Sequence, residues 1–547
     1  MNTPDISRRQ FFGQASCAGI STASLLSTLI SLRLANSLAA QTTPTDYKAL
    51  VCLFLAGGND SFNMLVPTTQ AEYNAYAAVR SNLALARDTL LQITPANLNG
   101  RTLGIHPAMP EIQELFNLGK LGFVSNVGSL VRPTTLADYR AGRHRPVSLY
   151  SHSDQIKQWQ TCIPDARTAI GWGGRAADII KSLNAPSLVS MNISLAGQNI
   201  FQTGQNTFSY TIGSSGATAL TGYDINARNN LTALRTTAVN STLEADYLNL
   251  FEKTYGGNTG EALDAYAEFA GALSGVTLTT PTPANNSLAN NLGMVARTAA
   301  SASRLGAPGG TGARRQVFFV QIGGWDHHDE VLNNQVNMLG IVSKAVKFFW
   351  DALGELGLQN NVTLFSASDF GRTLTSNGNG SDHAWGGNHF VLGGAVRGGN
   401  IFGNREQGYY PDFQNLSAID TGQGRLIPGV AVDEYARDLL AWFGISASDM
   451  DYVLPAYSTR FSGREQLAII GAGTPANNGG TSTNPPAGSG SGGSSASGGG
   501  GGGGALSPLA LGALGAAAAL KKLSDRKHLL RAKTKETAAK PAQTPSA

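Results

Sequence analysis

The sequence predicts an α/β protein in which a mainly parallel sheet is sandwiched by helices and carries a cap insertion. Three observations lead there. Short apolar runs recur along the chain without polar alternation, as strands buried on both faces require. Helical stretches separate them. Several runs end in glycines followed by carboxylate and imidazole residues, the composition expected where ligands bind beyond the carboxyl ends of strands.

In chain order the apolar runs are Leu50 to Ala56, Leu121 to Val127, Gln316 to Ile322, Val362 to Ser366 and Phe390 to Leu392. The stretch Val336 to Leu358 has apolar residues at helical spacing and Gly357 near its end as a stop signal. Residues 195–260, rich in Asn, Thr and Gly, read as the insertion or cap. The region 44–470 is long enough for one elaborate domain.

Both ends of the chain have a different composition. Ser7-Arg8-Arg9-Gln10-Phe11-Phe12 precedes a mildly apolar stretch from Ala15 to Leu32 and then small residues up to Ala40. This order resembles a twin-arginine export signal over residues 1–40, and it implies the twin-arginine translocase as a partner. Gly19 and several Ser and Thr make the stretch too polar for a permanent membrane span. Near residue 471 a Gly, Ser, Asn and Pro tract begins and runs to Gly504; its composition suits a flexible linker. Ala505 to Leu520 is apolar but rises only about 24 Å as a helix, against a hydrocarbon core of ~30 Å. A basic tail, residues 521–547, follows. Linker, short apolar segment and basic cluster together resemble a Gly-Gly type C-terminal sorting signal, which implies membrane contact through 505–520 and a sorting protease. The alternative is a disordered Ala-rich tail. Pro508 and the polar extension from Thr534 depart from the sorting pattern.

The formal charge of +4 is unevenly placed: residues 1–40 carry +2 and residues 521–547 carry +6, so the body carries −4. An acidic body argues against nucleic acid as a partner. Of three cysteines, Cys17 lies in the export segment. Cys52 and Cys162 can pair in an oxidising compartment or remain buried free thiols.

Ligand-type residues cluster after three of the apolar runs: Gly57-Gly58-Asn59-Asp60-Ser61, Gly323-Gly324-Trp325-Asp326-His327-His328-Asp329 and Ser368-Asp369-Phe370-Gly371-Arg372. A fourth cluster, Asp382-His383 through His389, leads into the last run. Four of the eight histidines fall in the Asp326 and Asp382 clusters, and carboxylates beside imidazoles suit zinc, manganese or iron. A further segment, Tyr150-Ser151-His152-Ser153-Asp154, opens a helical run. Its serine is either an N-cap or, at the positive end of a helix dipole, a nucleophile beside an anion.

Gly57-Gly58-Asn59-Asp60, Ser151-His152, Trp159, Gly324-Trp325-Asp326-His327-His328, Asp369-Phe370-Gly371-Arg372-Thr373 and Asp382-His383 together resemble the bacterial family called domain of unknown function 1501. The resemblance spans about 44–445. It implies the alkaline phosphatase and sulfatase type of fold and, from that wider group, a set of site residues. Asp326, His328 and His383 correspond to one metal position, with His389 as an alternative to His383. Asp60 and Asp369 correspond to a second position, where Phe370 replaces an expected histidine and leaves one ion as the expectation. The nucleophile slot falls on His152, flanked by Ser151 and Ser153. Arg372 is either a stabiliser of developing anionic charge or a structural ion pair.

Two functions follow as expectations. The first is an exported, metal-dependent hydrolase of phosphate or sulfate esters, active in the periplasm, at the outer cell surface or secreted. The second is a non-catalytic binding or assembly protein displayed on the same fold.

Overall fold

The computed structural model describes residues 46–471, apart from 185, 229 and 307–311. The export segment and, from 472 onward, the linker, the apolar segment and the basic tail lie outside the described residues.

A nine-stranded sheet forms the centre. In chain order its strands are β1 (Lys48–Leu55), β2 (Leu121–Gly128), β3 (Asn192–Ser194), β4 (Tyr210–Thr211), β5 (Arg315–Ile322), β6 (Val362–Ser368), β7 (Gly387–Leu392), β8 (Ile401–Phe402) and β9 (Val430–Ala431). The spatial order is β8-β2-β7-β6-β1-β5-β3-β4, with β9 also pairing with β2. All five apolar runs are strands of this sheet.

Alternation along β1 shows why it is apolar throughout. Ala49, Val51, Leu53 and Leu55 enter one hydrophobic core, packed by helices Pro110–Asn117, Ser287–Ala300 and Val331–Glu355. Leu50, Cys52 and Phe54 enter a second core on the opposite face, packed by helices His152–Thr161, Trp172–Ile180 and Val432–Phe443. A strand covered on both faces has no solvent side to make polar. Cys52 and Cys162 are free, buried thiols, so the disulfide alternative is not realised.

One strand departs from the parallel expectation. β7 runs antiparallel to both neighbours, β6 and β2, while the other pairings of the sheet are parallel. The cause is the connection. Between β6 and β7 the chain forms only a small antiparallel ribbon, Arg372–Ser376 with Ser381–His383, and no crossover helix. A parallel return needs a crossover of a dozen or more residues, usually helical; a ribbon brings the chain straight back. The start of β7 therefore lies at the same sheet edge as the ends of β1, β5 and β6.

The long helix begins at Val331, earlier than its apolar periodicity suggests, and ends at Glu355 before Gly357. The region 195–260, expected as a cap, is only partly one: it supplies the sheet strand β4 before helix Leu231–Leu243, and helix Leu250–Leu273 runs past its end. Among the described residues no helix is long and apolar enough to cross a membrane.

Candidate metal centre

The loops after β1, β5 and β6 meet at one edge of the sheet. Gly57 makes the approach possible: its φ is +124°, and a side chain there would collide with the backbone of Trp325 and Asp326. Its N–H donates to Asp369 Oδ1 at 2.9 Å, joining the β1 and β6 loops. The Trp325 N–H donates to the Ala56 carbonyl at 3.1 Å and joins the β5 loop to the same point.

Four side chains converge there. His383 Nε2 lies 2.9 Å from His328 Nε2 and 3.1 Å from His152 Nε2. Asp326 Oδ1 lies 3.1 Å from His328 Nε2 and 3.2 Å from His383 Nε2, and Asp326 Oδ2 lies 3.4 Å from His152 Nε2. The other nitrogen of each ring faces outward to an acceptor. His152 Nδ1 meets Asp369 Oδ2 at 2.7 Å, His328 Nδ1 meets Asp382 Oδ1 at 3.1 Å, and His383 Nδ1 meets the Tyr150 carbonyl at 2.9 Å.

This arrangement fits a metal ion. A carbonyl oxygen only accepts, so His383 Nδ1 carries the proton and Nε2 keeps its lone pair. Burial holds the His383 imidazolium down, against the Tyr150 carbonyl, which favours it, so the ring is neutral. Asp369 and Asp382 likewise face the Nδ1 atoms of His152 and His328, which leaves the Nε2 atoms of both rings facing the cluster. Three imidazole nitrogens and a carboxylate gathered at one point make a donor set that suits a divalent cation. These five separations, 2.9–3.4 Å, are near the ~3.3 Å expected between ligand atoms of a four-coordinate ion with ~2.0 Å bonds, and the ligand atoms of His152, Asp326 and His383 all lie within 4.8 Å of one another. The side chains of Asp326 and His328 are 44% and 45% exposed, so the cluster opens to solvent on that side.

Electrostatics assign distinct roles to the carboxylates. Burial raises the Asp326 pKa, but the Arg372 hydrogen bond and charge, with His328 and His152, outweigh it and hold the group ionised. At Asp369 burial dominates, and its pKa is raised despite the Gly57 N–H and His152.

Several expected site residues lie elsewhere. Asp60 is fully buried: its Oδ2 pairs with Arg80 Nη2 at 2.7 Å and accepts from Ser381 Oγ at 3.0 Å. Arg80 balances its charge, and Asp60 is not among His152, Asp326 and His383, whose ligand atoms lie within 4.8 Å of one another. Asp369 is likewise committed to orienting His152, and Phe370 stacks on His152 and His383 with ring centroids 4.7 and 4.6 Å away. An apolar wall stands where a second histidine was expected. His389 is buried against Trp159, at 4.6 Å between centroids, and Tyr435, and burial lowers its pKa to about 3. It is a core histidine rather than a substitute for His383.

The nucleophile expectation also changes. Ser151 occupies the N-cap position of helix His152–Thr161, but its side chain caps no backbone N–H. Its hydroxyl lies 3.2 Å from both Ser153 Oγ and Asp154 Oδ2. His152, at the nucleophile slot, instead joins the ligand cluster. Arg372 is an ion pair: Nη1 donates to Asp326 Oδ1 at 2.6 Å, Nη2 donates to the Ser381 carbonyl, and the side chain is buried.

Two members of the site were not assigned from sequence. Asp382 stood beside His383 in a cluster, and that adjacency was a usable signal. Tyr150 carried none, because its contribution is a backbone carbonyl turned by a left-handed conformation, φ +76°.

Residues 197–419 match the family model "Protein of unknown function (DUF1501)". The DUF1501 stretch holds Asp326, His328, Asp369, Arg372 and His383, while Asp60 and His152 precede it. No curated protein sequence matches the chain. Among solved structures, the soluble domain of lipooligosaccharide phosphoethanolamine transferase A from Neisseria meningitidis aligns with 9% identity and TM-score 0.28, covering 76% of this chain and 95% of that one. The C-terminal periplasmic domain of EcEptC from Escherichia coli aligns with 12% identity and TM-score 0.28, over 76% and 88%. Alkaline phosphatase from the Antarctic bacterium TAB5 aligns with 11% identity and TM-score 0.24, over 68% and 96%. Likeness at this level assigns no activity to this chain.

Proposed function

We propose that this protein is an exported, metal-dependent hydrolase of phosphate or sulfate esters. The observation that carries the reading is the convergence of His152, Asp326, His328 and His383, each imidazole fixed from behind by an acceptor. These four residues would hold one divalent ion. Such an ion supplies Lewis-acid polarisation of an ester oxygen and a low-pKa water.

The protein's own groups do the positioning. Asp369, Asp382 and the Tyr150 carbonyl orient the three rings so that their Nε2 atoms face the cluster. Arg372 holds Asp326 in place and ionised. Phe370 excludes water from the side of His152 and His383. His152 occupies the nucleophile slot and belongs to the cluster, so the reading takes water as the attacking group.

One observation favours the non-catalytic alternative: the nucleophile slot holds a histidine committed to the cluster. Both readings are tested together by measuring metal content of the purified protein and turnover of phosphate monoesters, phosphate diesters and sulfate esters, with Asp326→Asn beside wild type. Bound metal with turnover lost in the variant supports the hydrolase. Bound metal without turnover supports the binding protein, and no metal refutes the centre.

Export through the twin-arginine pathway and surface sorting through the C-terminus belong to the same proposal. Replacing Arg8 and Arg9 by Lys should retain the protein in the cytoplasm, and cell fractionation reads that outcome directly.

A further inference from the structure

We propose that Arg425 forms an anion-binding subsite at the edge of the metal centre, taking the charged oxygens of a phosphate ester; this rests on the hydrolase reading and names the group that recognises its substrate. The guanidinium expected from sequence to do so, Arg372, is buried and spent on Asp326 and the Ser381 carbonyl. Arg425 is half-buried. Its Nε donates to the His383 carbonyl at 3.0 Å, its charge helps hold Asp382 ionised, and neither Nη atom has a hydrogen-bond partner among the described residues.

Three contacts fix this side chain relative to a ligand imidazole. The Nε bond ties it to the main chain of His383. Its guanidinium carbon lies 5.3 Å from the centroid of the Tyr150 ring, within cation–π range. Tyr150 in turn accepts the Nδ1–H of His383 on its carbonyl, and its hydroxyl lies 3.4 Å from Thr421 Oγ1, on the loop that carries Arg425. That loop is closed on itself: the Arg425 N–H donates to the Gly422 carbonyl at 3.2 Å, and the Thr421 N–H donates to the Arg425 carbonyl at 3.0 Å.

Chemistry follows from what remains free. With Nε and the ring face occupied, the two Nη atoms present a fixed fork of N–H donors, the geometry that matches two oxygens of a phosphate. A guanidinium anchored this way loses less rotational freedom on binding than one on an unrestrained side chain. The strained backbone at Tyr150, φ +76°, also gains a purpose: it places the carbonyl on His383 and the ring under Arg425 at once.

The test compares the full-length wild type with Arg425→Gln and Arg425→Lys, using inorganic phosphate as the probe. Phosphate affinity is measured by calorimetry on metal-loaded and on chelator-treated protein, with metal content measured alongside. The Gln variant should bind phosphate about 10- to 100-fold more weakly with unchanged metal content. The Lys variant should recover part of that loss, since it restores charge without the fork. Turnover of a phosphate monoester should suffer through KM, and more than turnover of a singly charged sulfate ester. Equal phosphate affinity in wild type and Arg425→Gln overturns the subsite and leaves the hydrolase reading standing. Loss of metal together with phosphate makes Arg425 a positioning residue for His383 and overturns it too. A wild type that takes up no metal overturns the hydrolase reading; the chelated samples then decide Arg425 alone.

Discussion

Two aspartates follow neighbouring parallel strands, Asp60 after β1 and Asp326 after β5, and they behave in opposite ways. Asp60 has no exposed side-chain surface and is neutralised by Arg80, itself fully buried. Asp326 is 44% exposed and is ringed by three imidazoles as well as Arg372. A buried arginine reaches both carboxylates, Arg80 at Asp60 and Arg372 at Asp326, so what separates them is access: Asp60 has no solvent side, whereas Asp326 is open to solvent and surrounded by imidazole nitrogens.

This contrast can be broken experimentally. The largest effect is expected from Asp60→Ala, which strands Arg80 as an uncompensated buried charge and should cost about 3–5 kcal/mol of unfolding free energy. Denaturant titration measures it, and the surviving folded protein should keep its metal. Asp326→Asn should shift the balance the other way: metal affinity falls by more than ~100-fold, beyond the range of outer-sphere substitutions, while the chelated variant, which keeps an amide oxygen beside the buried Arg372 on a side open to solvent, loses less stability than Asp60→Ala. If Asp60→Ala lost the metal and kept its stability, the assignment of the two aspartates would have to be exchanged.

A subtler substitution sharpens the comparison. Asp369→Asn removes the charge behind His152 without removing a ligand, so metal affinity should drop about 10- to 100-fold. Equal affinity would mean that His152 stands outside the centre. The smallest effect concerns His389. Its folded pKa of about 3 lies below the unfolded value near 6.5, so the unfolded chain binds a proton that the folded chain does not. Stability from this residue is complete above pH 6.5 and is lost as pH falls towards 3, by about 1.4 kcal/mol at pH 5.5. His389→Phe should flatten that part of a Tm-against-pH curve and leave metal content unchanged.

Much of the sheet was legible because strands covered on both faces need uninterrupted apolar runs. The reach of that signal ended at direction. Phe390 to Leu392 reads the same in either orientation, and only the short ribbon between β6 and β7 made it antiparallel. At the site, Asp326, His328 and His383 were legible as a group because each sits in a polar cluster beside an apolar run. His152 was placed in the right neighbourhood with a different role. Its partners Asp369 and His383 lie 217 and 231 residues away, and no local pattern reports such contacts. Ser151 read as a cap or a nucleophile; its side chain caps no backbone N–H and instead lies beside Ser153 and Asp154.

By itself, then, the sequence determined an α/β body and the strand ends at which ligand-type residues gather, since burial dictates apolar runs and loops must carry the polar groups between them. Tertiary structure alone decided which carboxylate met Arg80, which imidazoles shared a point, and which arginine kept its donors free. Those outcomes depend on side chains brought within about 3 Å from distant parts of the chain, where a hydrogen bond either forms or does not.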